Sequence, residues 1–295
     1  MTQGRDPPEK GHCSEWPPPR AGYETVVALP GSVLSVEPDL RMKTVKAGFI
    51  ARALAIYRVD LAIIYRDEET RQGDAELLKL LLDYEATPPH LRRRLYPLRP
   101  ELRYAGLLPP LRTFPHDAPL EPSPGAVVDG VIVGRDSRGC RVYLGRLGYW
   151  RLRGCGKPAG TVVTVKIVDV NSKEVVEASW DGIYPGYSST LMPSLDSVIR
   201  WARGRGYVTV AASRLGQCLD RGLACRILRE ARSRGGVLLA FGGPHGTLYG
   251  RAGFDYIVNT VPFQGVKTVR TEEALHSLLA LLNAVREVDW CEDSL

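Results

Sequence analysis

Residues 259–283, NTVPFQGVKTVRTEEALHSLLALLN, follow an apolar strand (DYIV, 255–258), turn at Pro262 and Gly265, and enter a helix whose apolar residues recur every three to four positions. A connection that only reversed the chain would not need such a density of Asn, Gln, Thr and Arg. Polar side chains and inward-facing backbone amides are what a loop needs to line a ligand site. The loop also follows a strand directly, and open parallel sheets bind ligands beyond the carboxyl ends of their strands.

The strand, turn and helix pattern repeats outward from this stretch. Upstream lie a helix at 195–205, YVTVAAS (207–213), a helix around 218–233, and VLLAF (237–241). The N-terminal part alternates in the same way: TVVALP (25–30), a helix over 39–59, DLAIIY (60–65), and a helix over 75–84. Between the halves, AVVDGVIVG, CRVYLG, YWRLRG, TVVTVKIVDV and KEVVEAS alternate with period two and are separated by Gly, Asn and Ser, which suits a small OB-like β-barrel. Two strands do not make a stable parallel sheet, whereas two plus three do. The chain therefore reads as one α/β domain (23–112 and 181–290), a parallel sheet with helices on both faces, interrupted by an inserted barrel at 113–180.

With 295 residues, 44% of them apolar, the chain can bury a substantial core. It shows neither a membrane-length apolar run nor a signal peptide, so the cytoplasm is the expected compartment. Residues 1–22, rich in Pro, Gly and charge, read as a disordered tail. The cysteines lack C-x-x-C spacing, and no metal site is expected. Cys140 and Cys155 are near enough to pair, but in an intracellular chain two buried thiols are expected. The net charge is +6; residues 88–114 carry six arginines against Glu101, and residues 135–157 carry seven bases against Asp136. Two such blocks favour a nucleic-acid partner over a solvated face.

VAASRLGQ (210–217), LAFGGPHG (239–246) and VNTVPFQG (258–265) each leave a strand through a turn of small or polar residues. None contains the G-K-[ST] of a P-loop or a G-x-G-x-x-G, so a nucleoside triphosphate or NAD has no motif to bind. Together with ALPGSVL (28–34), IARALAIYRVD (50–60), the Arg-rich block at 87–116, WDGIYPGYS (180–188), FGGPHG (241–246) and NTVPFQGVKTVRTEEA (259–274), these turns resemble the SPOUT superfamily of S-adenosylmethionine-dependent RNA methyltransferases, in the branch with an inserted OB-like domain.

The resemblance implies a C-terminal trefoil knot, a homodimer, and a cofactor bent within the knotted loops at the dimer interface. Residue by residue it assigns the cofactor, S-adenosylmethionine, to Ala212 and Ser213 in the first loop and to Phe241, Gly242, Gly243 and Pro244 in the second. In the third it assigns Asn259, Thr260, Val261, Pro262, Gln264, Gly265, Thr268 and Val269. Arg52 aligns with an arginine that contacts substrate phosphate or the nucleophile. On the wheel of its helix it lies about 20° from Val45 and about 40° from Ile56, so its charge needs a partner there. Arg52 and Arg270 are therefore expected to act electrostatically, and Thr271 to cap the last helix.

RNA contacts are expected from Arg92, Arg93 and Arg94 in the connector and from Arg141, Arg146, Tyr149, Trp150, Arg151 and Arg153 in the barrel, whose core should take Tyr143 or Tyr149. The implied function is methyl transfer to structured RNA, such as ribosomal RNA. A non-catalytic RNA-binding or assembly protein retaining the fold is the other reading.

Overall fold

Unbroken apolar runs form a central sheet, and alternating runs form a barrel. The computed structural model describes residues 15–287. In chain order the elements are β1 (Glu24–Pro30), α1 (Leu40–Ile56), β2 (Leu61–Tyr65), α2 (Asp74–Ala86), α3 (Pro89–Leu95), β3 (Val127–Asp136), β4 (Gly139–Tyr143), β5 (Tyr149–Leu152), β6 (Val162–Asp169) and β7 (Glu174–Glu177). They continue with β8 (Ser188–Met192), α4 (Leu195–Gly204), β9 (Val208–Cys218), α5 (Arg221–Arg234), β10 (Gly236–Phe241), β11 (Tyr256–Asn259) and α6 (Thr271–Glu287).

Six strands pair in the order β11-β9-β10-β1-β2-β8, all parallel. Alternate side chains of β1 enter opposite cores, which is why its sequence reads as continuously apolar. Val27 and Leu29 pack with α1, α2, α5 and α6, while Val26 and Ala28 pack with Val198, Ile199 and Ala202 of α4. Local signals set the helix starts: Asp39 accepts from the amide of Met42 (2.9 Å) and Asp220 from that of Leu223 (2.8 Å). The sequence reading yields five of the six strands. The sixth, β8, is the half-exposed edge segment SSTLM, whose burial does not alternate.

The inserted strands close into a barrel in the order β3-β4-β5-β7-β6. Pairing of Cys140 with Leu152 across β4 and β5 brings Cys155 alongside, and the two cysteines form a disulfide (Cα–Cα 5.5 Å), not the two thiols expected from sequence. The tail assigned to 1–22 lies partly outside the described residues. Its portion from residue 15 packs on the fold: the amide of Arg20 donates to Gly182 (3.0 Å), and that of Tyr184 donates to Pro18 (2.9 Å). Backbone pairing at Pro19 and Ile183 holds this proline-rich segment without a large apolar surface.

Polar bonds to main-chain carbonyls fasten the connector to the α/β core. Arg52 Nη1 donates to Pro110 (3.1 Å) and Leu111 (3.0 Å), Arg92 Nη2 to Glu85 (2.9 Å), and His116 Nε2 to Glu85 (3.1 Å). Beneath them the Glu85 side chain is 1% exposed, and neither carboxyl oxygen has a hydrogen-bond partner. Burial pushes its pKa up to about 7, against the pull of the Arg92 and Arg52 guanidiniums. Because the folded pKa lies above the unfolded one, the buried carboxyl costs nothing below about pH 4.5 and destabilises the fold progressively as pH rises to about 7. Glu85→Gln should therefore match the parent protein near pH 4.5 and exceed it at pH 8 by on the order of 3 kcal/mol in urea unfolding. A gap independent of pH would contradict the assignment.

Candidate active site

The tips of β9, β10 and β11 build the site by three different devices. At β9 the ladder with β11 breaks: Ala211 pairs with Ile257, but Val258 pairs with Gln217, so β9 bulges between these pairings while Ala212 still pairs with Phe241 of β10. Gly216 permits the close approach, since a Cβ there would lie 2.6 Å from the carbonyl oxygen of Ile257.

The loop after β10 is held at its backbone. Tyr65 donates its hydroxyl to the Phe241 carbonyl (2.6 Å), and Thr271 donates to that of Gly242 (3.1 Å). Gly243 backs onto a hydrogen-bonded Ser32 and Asp67 pair (2.5 Å); a Cβ at 243 would lie 2.6 Å from Asp67 Oδ2 and 2.7 Å from Ser32 Oγ. Tyr65, Ser32 and Asp67 are not identified by the sequence reading, because they lie on β2, in the turn after β1 and in the loop after β2, far from Gly242 and Gly243 in the chain.

The loop after β11 joins the first. Asn259 Nδ2 donates to the Arg214 carbonyl (3.0 Å), while its Oδ1 accepts from the Val261 amide (3.0 Å). Gln264 donates within its own loop, to Val266 (2.8 Å) and Lys267 (3.2 Å). These bonds use the two amides for shaping the loops. Thr271, expected as a cap, is the first residue of α6 and reaches back to Gly242. The preceding residue, Arg270, holds the cap position, its amide donating to Glu273 Oε2 (2.8 Å).

The loops enclose a cavity of about 870 Å³. All the residues read as cofactor contacts line it except Pro262 and Gly265, and Arg270 lines it with a side chain 69% exposed. Arg52 is not in the lining; it is bonded to the connector. The cation that α1 brings to the cavity is Lys46, 7% exposed, whose ammonium lies 2.5 Å from Glu37 Oε1 and 3.4 Å from Glu272 Oε1. Arg270 Nη1 lies 4.0 Å from the same Glu272 oxygen, Arg214 and Lys267 also line the cavity, and Glu272 Oε2 has no hydrogen-bond partner. Nothing local in the sequence marks this trio, since its members come from the loop before α1, α1 itself and α6.

The residues read as RNA contacts lie apart from the cavity, and two of them have structural roles. Trp150 is 2% exposed in the barrel core and donates Nε1 to Leu147 (2.9 Å). Alternation along β5 puts it inside with Leu152, so it takes the core position expected for Tyr143 or Tyr149. Arg92 is bonded to the carbonyls of Thr87 and Glu85. Arg93, Arg94, Arg141, Arg146, Tyr149 and Arg153 are exposed, and Arg151 is half-buried.

Residues 24–282 match a family described as "Putative RNA methyltransferase". The chain belongs to that family. A 28S rRNA (uridine-N(3))-methyltransferase of Homo sapiens is 31% identical over 302 residues, covering 88% of this chain and 78% of its own. An uncharacterised protein of Haloarcula marismortui is 32% identical over 282 residues, covering 88% and 98%. Among solved structures, the SpoU methyltransferase AviRb of Streptomyces viridochromogenes aligns at TM-score 0.37 and 12% identity, covering 91% of this chain and 62% of its own; at that score it bears on neither fold nor chemistry. The RNA methyltransferase resemblance read from the sequence blocks is borne out.

In this RNA methyltransferase Lys46 is the buried cation between Glu37 and Glu272. Lys46→Met should leave two buried carboxylates facing each other and lower stability by about 3 kcal/mol in urea unfolding at pH 7. Arg270→Ala, at the exposed rim, should change it by less than about 0.5 kcal/mol.

Proposed function

We propose that this RNA methyltransferase transfers a methyl group from S-adenosylmethionine, held among the three loops, to a uridine N3 of ribosomal RNA. The observation that carries the proposal is the cavity itself: three strand-tip loops converge on one hollow whose wall includes the carboxylates of Glu37 and Glu272. Its volume, about 870 Å³, lies within the range for small-molecule and cofactor sites. The residues present suit this donor: Glu37 and Glu272 offer carboxylates to its sulfonium and ammonium, and Arg214, Lys267 and Arg270 offer cations to its carboxylate. Phe241 and Val261 supply apolar wall, and Gly242 and Gly243 offer bare backbone.

When bound, the cofactor supplies an activated methyl group. The chain contributes position and field. Backbone groups of 241–243, fixed by Tyr65 and Thr271, set the location of the donor, and methyl transfer depends chiefly on in-line approach. The uridine-N3 target rests on the named activity of the human relative.

We further infer a trefoil knot in which the segment leading to α6 threads the loops of the sheet. The bond from Thr271 to Gly242 and the seating of α6 against α1 and α5 support this reading. A homodimer completes the proposal. Met42, Phe49 and Ile56, seven residues apart on α1, are 44%, 59% and 49% exposed and form an apolar stripe that a second copy would cover. Arg52 lies between Phe49 and Ile56 on that face, so its contribution to substrate would be made at the dimer interface. The proposed compartment is the cytoplasm.

Calorimetry with the purified protein should show saturable heat with S-adenosylmethionine. Gly243→Val, forced against Asp67 and Ser32, should weaken binding at least about tenfold. No heat from the parent protein would favour the non-catalytic reading. Phe49→Glu should sediment as a monomer and lose methylation of ribosomal RNA, scored at uridine N3 by mass spectrometry. A monomeric parent protein would overturn the dimer.

A further inference from the structure

The basic side chains of the connector and barrel fall into two classes by what neutralises them. Arg153 pairs with Glu174 (Nε to Oε1 3.0 Å), Lys157 pairs with Glu177, and Arg151 lies 3.7 Å from Asp136. Arg93, Arg94, Arg141 and Arg146 have no carboxylate partner among the described residues. Two of these are stacked on tyrosine. The Arg94 guanidinium, from α3, lies 4.8 Å from the centre of the Tyr143 ring and 5.8 Å from that of Tyr149, and donates to the Tyr149 hydroxyl. Arg141 lies 5.3 Å from the Tyr149 ring, and the two tyrosine rings are 5.3 Å apart.

The pleat explains the cluster. Tyr143 pairs with Tyr149 across β4 and β5, and Arg141, two residues before Tyr143, shares their outward face. Hydrogen bonding and stacking hold guanidiniums that would otherwise be mobile, so their remaining N–H groups are already oriented toward solvent. Tyr149, 43% exposed, adds a planar surface beside them.

We propose that this face, at the junction of α3 with β4 and β5, is the single-stranded RNA platform of the enzyme. Arg94 and Arg141 receive phosphates, Arg93 and Arg146 extend the positive field, and a base stacks on Tyr149. Arg153 and Lys157 are not part of it, because their charges are paired with Glu174 and Glu177. The inference rests on the RNA-modifying reading above, and it assigns the bound state of the substrate: an unpaired segment, since a duplex offers no free base face to the tyrosine.

The test is fluorescence anisotropy of the full chain with a uridine-rich single-stranded 12-mer and a duplex of equal length, over a series of salt concentrations. Arg94→Gln with Arg141→Gln should reduce the magnitude of the slope of log K against log salt by about 1.4, from roughly 0.7 per lost phosphate contact. Tyr149→Ala should weaken single-strand binding at least about fivefold, and Tyr149→Phe should retain most of it. Arg153→Gln with Lys157→Gln should change affinity less than about twofold. Thermal midpoints near the parent value and preserved calorimetric binding of S-adenosylmethionine would show that the variants fold and that the cofactor site is independent. The proposal is overturned if the Arg153 and Lys157 pair weakens binding as much as the Arg94 and Arg141 pair, if duplex is preferred, or if the parent protein binds neither RNA while still binding the cofactor.

Discussion

The hydroxyl of Thr271 donates to the carbonyl of Gly242 across 3.1 Å, and the site depends on that contact. It joins the first turn of α6 to the loop after β10, two segments separated by β11 and a long polar loop. From the other side Tyr65 holds Phe241, and the pair of Ser32 and Asp67 closes the space behind Gly243. The loop backbone is therefore fixed from β2, from the turn after β1 and from α6 together. A cavity wall of bare backbone is useful only if it does not move, and these bonds supply that rigidity where glycine supplies none.

The same packing places two carboxylates in the cavity wall of a basic protein. The chain carries +6 overall, yet the cavity wall combines Lys46 with Glu37 and Glu272. Arg94 and Arg141, which pair with no carboxylate among the described residues, stack instead on the tyrosines of the α3, β4 and β5 face. The connector bonds at Pro110, Leu111 and Glu85 hold the barrel to the sheet.

Arg52 shows how far an argument from periodicity reaches. Its position beside the apolar stripe does require compensation, and the compensation is the connector's main-chain carbonyls, with Glu85 close enough for its charge to be felt. The cation that α1 delivers to the cavity is Lys46, less than two turns earlier on the helix. Position on one helix tells which side chains face inward, but not which neighbouring segment meets them.

The sequence by itself determined the parallel α/β sheet, the inserted five-stranded barrel and the three strand-tip loops, because each is written in local periodicity and in turn residues. It identified the loop residues 212–213, 241–244 and most of those read at 259–269 around the cavity, since each loop is contiguous in the chain. Only the tertiary structure decided that β8 completes the sheet edge, that Trp150 fills the barrel core while Tyr149 stays outside, and that Cys140 and Cys155 are joined. It also decided which charges are neutralised. Lys46 and its two carboxylates, like Arg94 and its two tyrosines, are brought together from distant segments by packing and strand register, and no local pattern in the chain encodes a meeting of that kind.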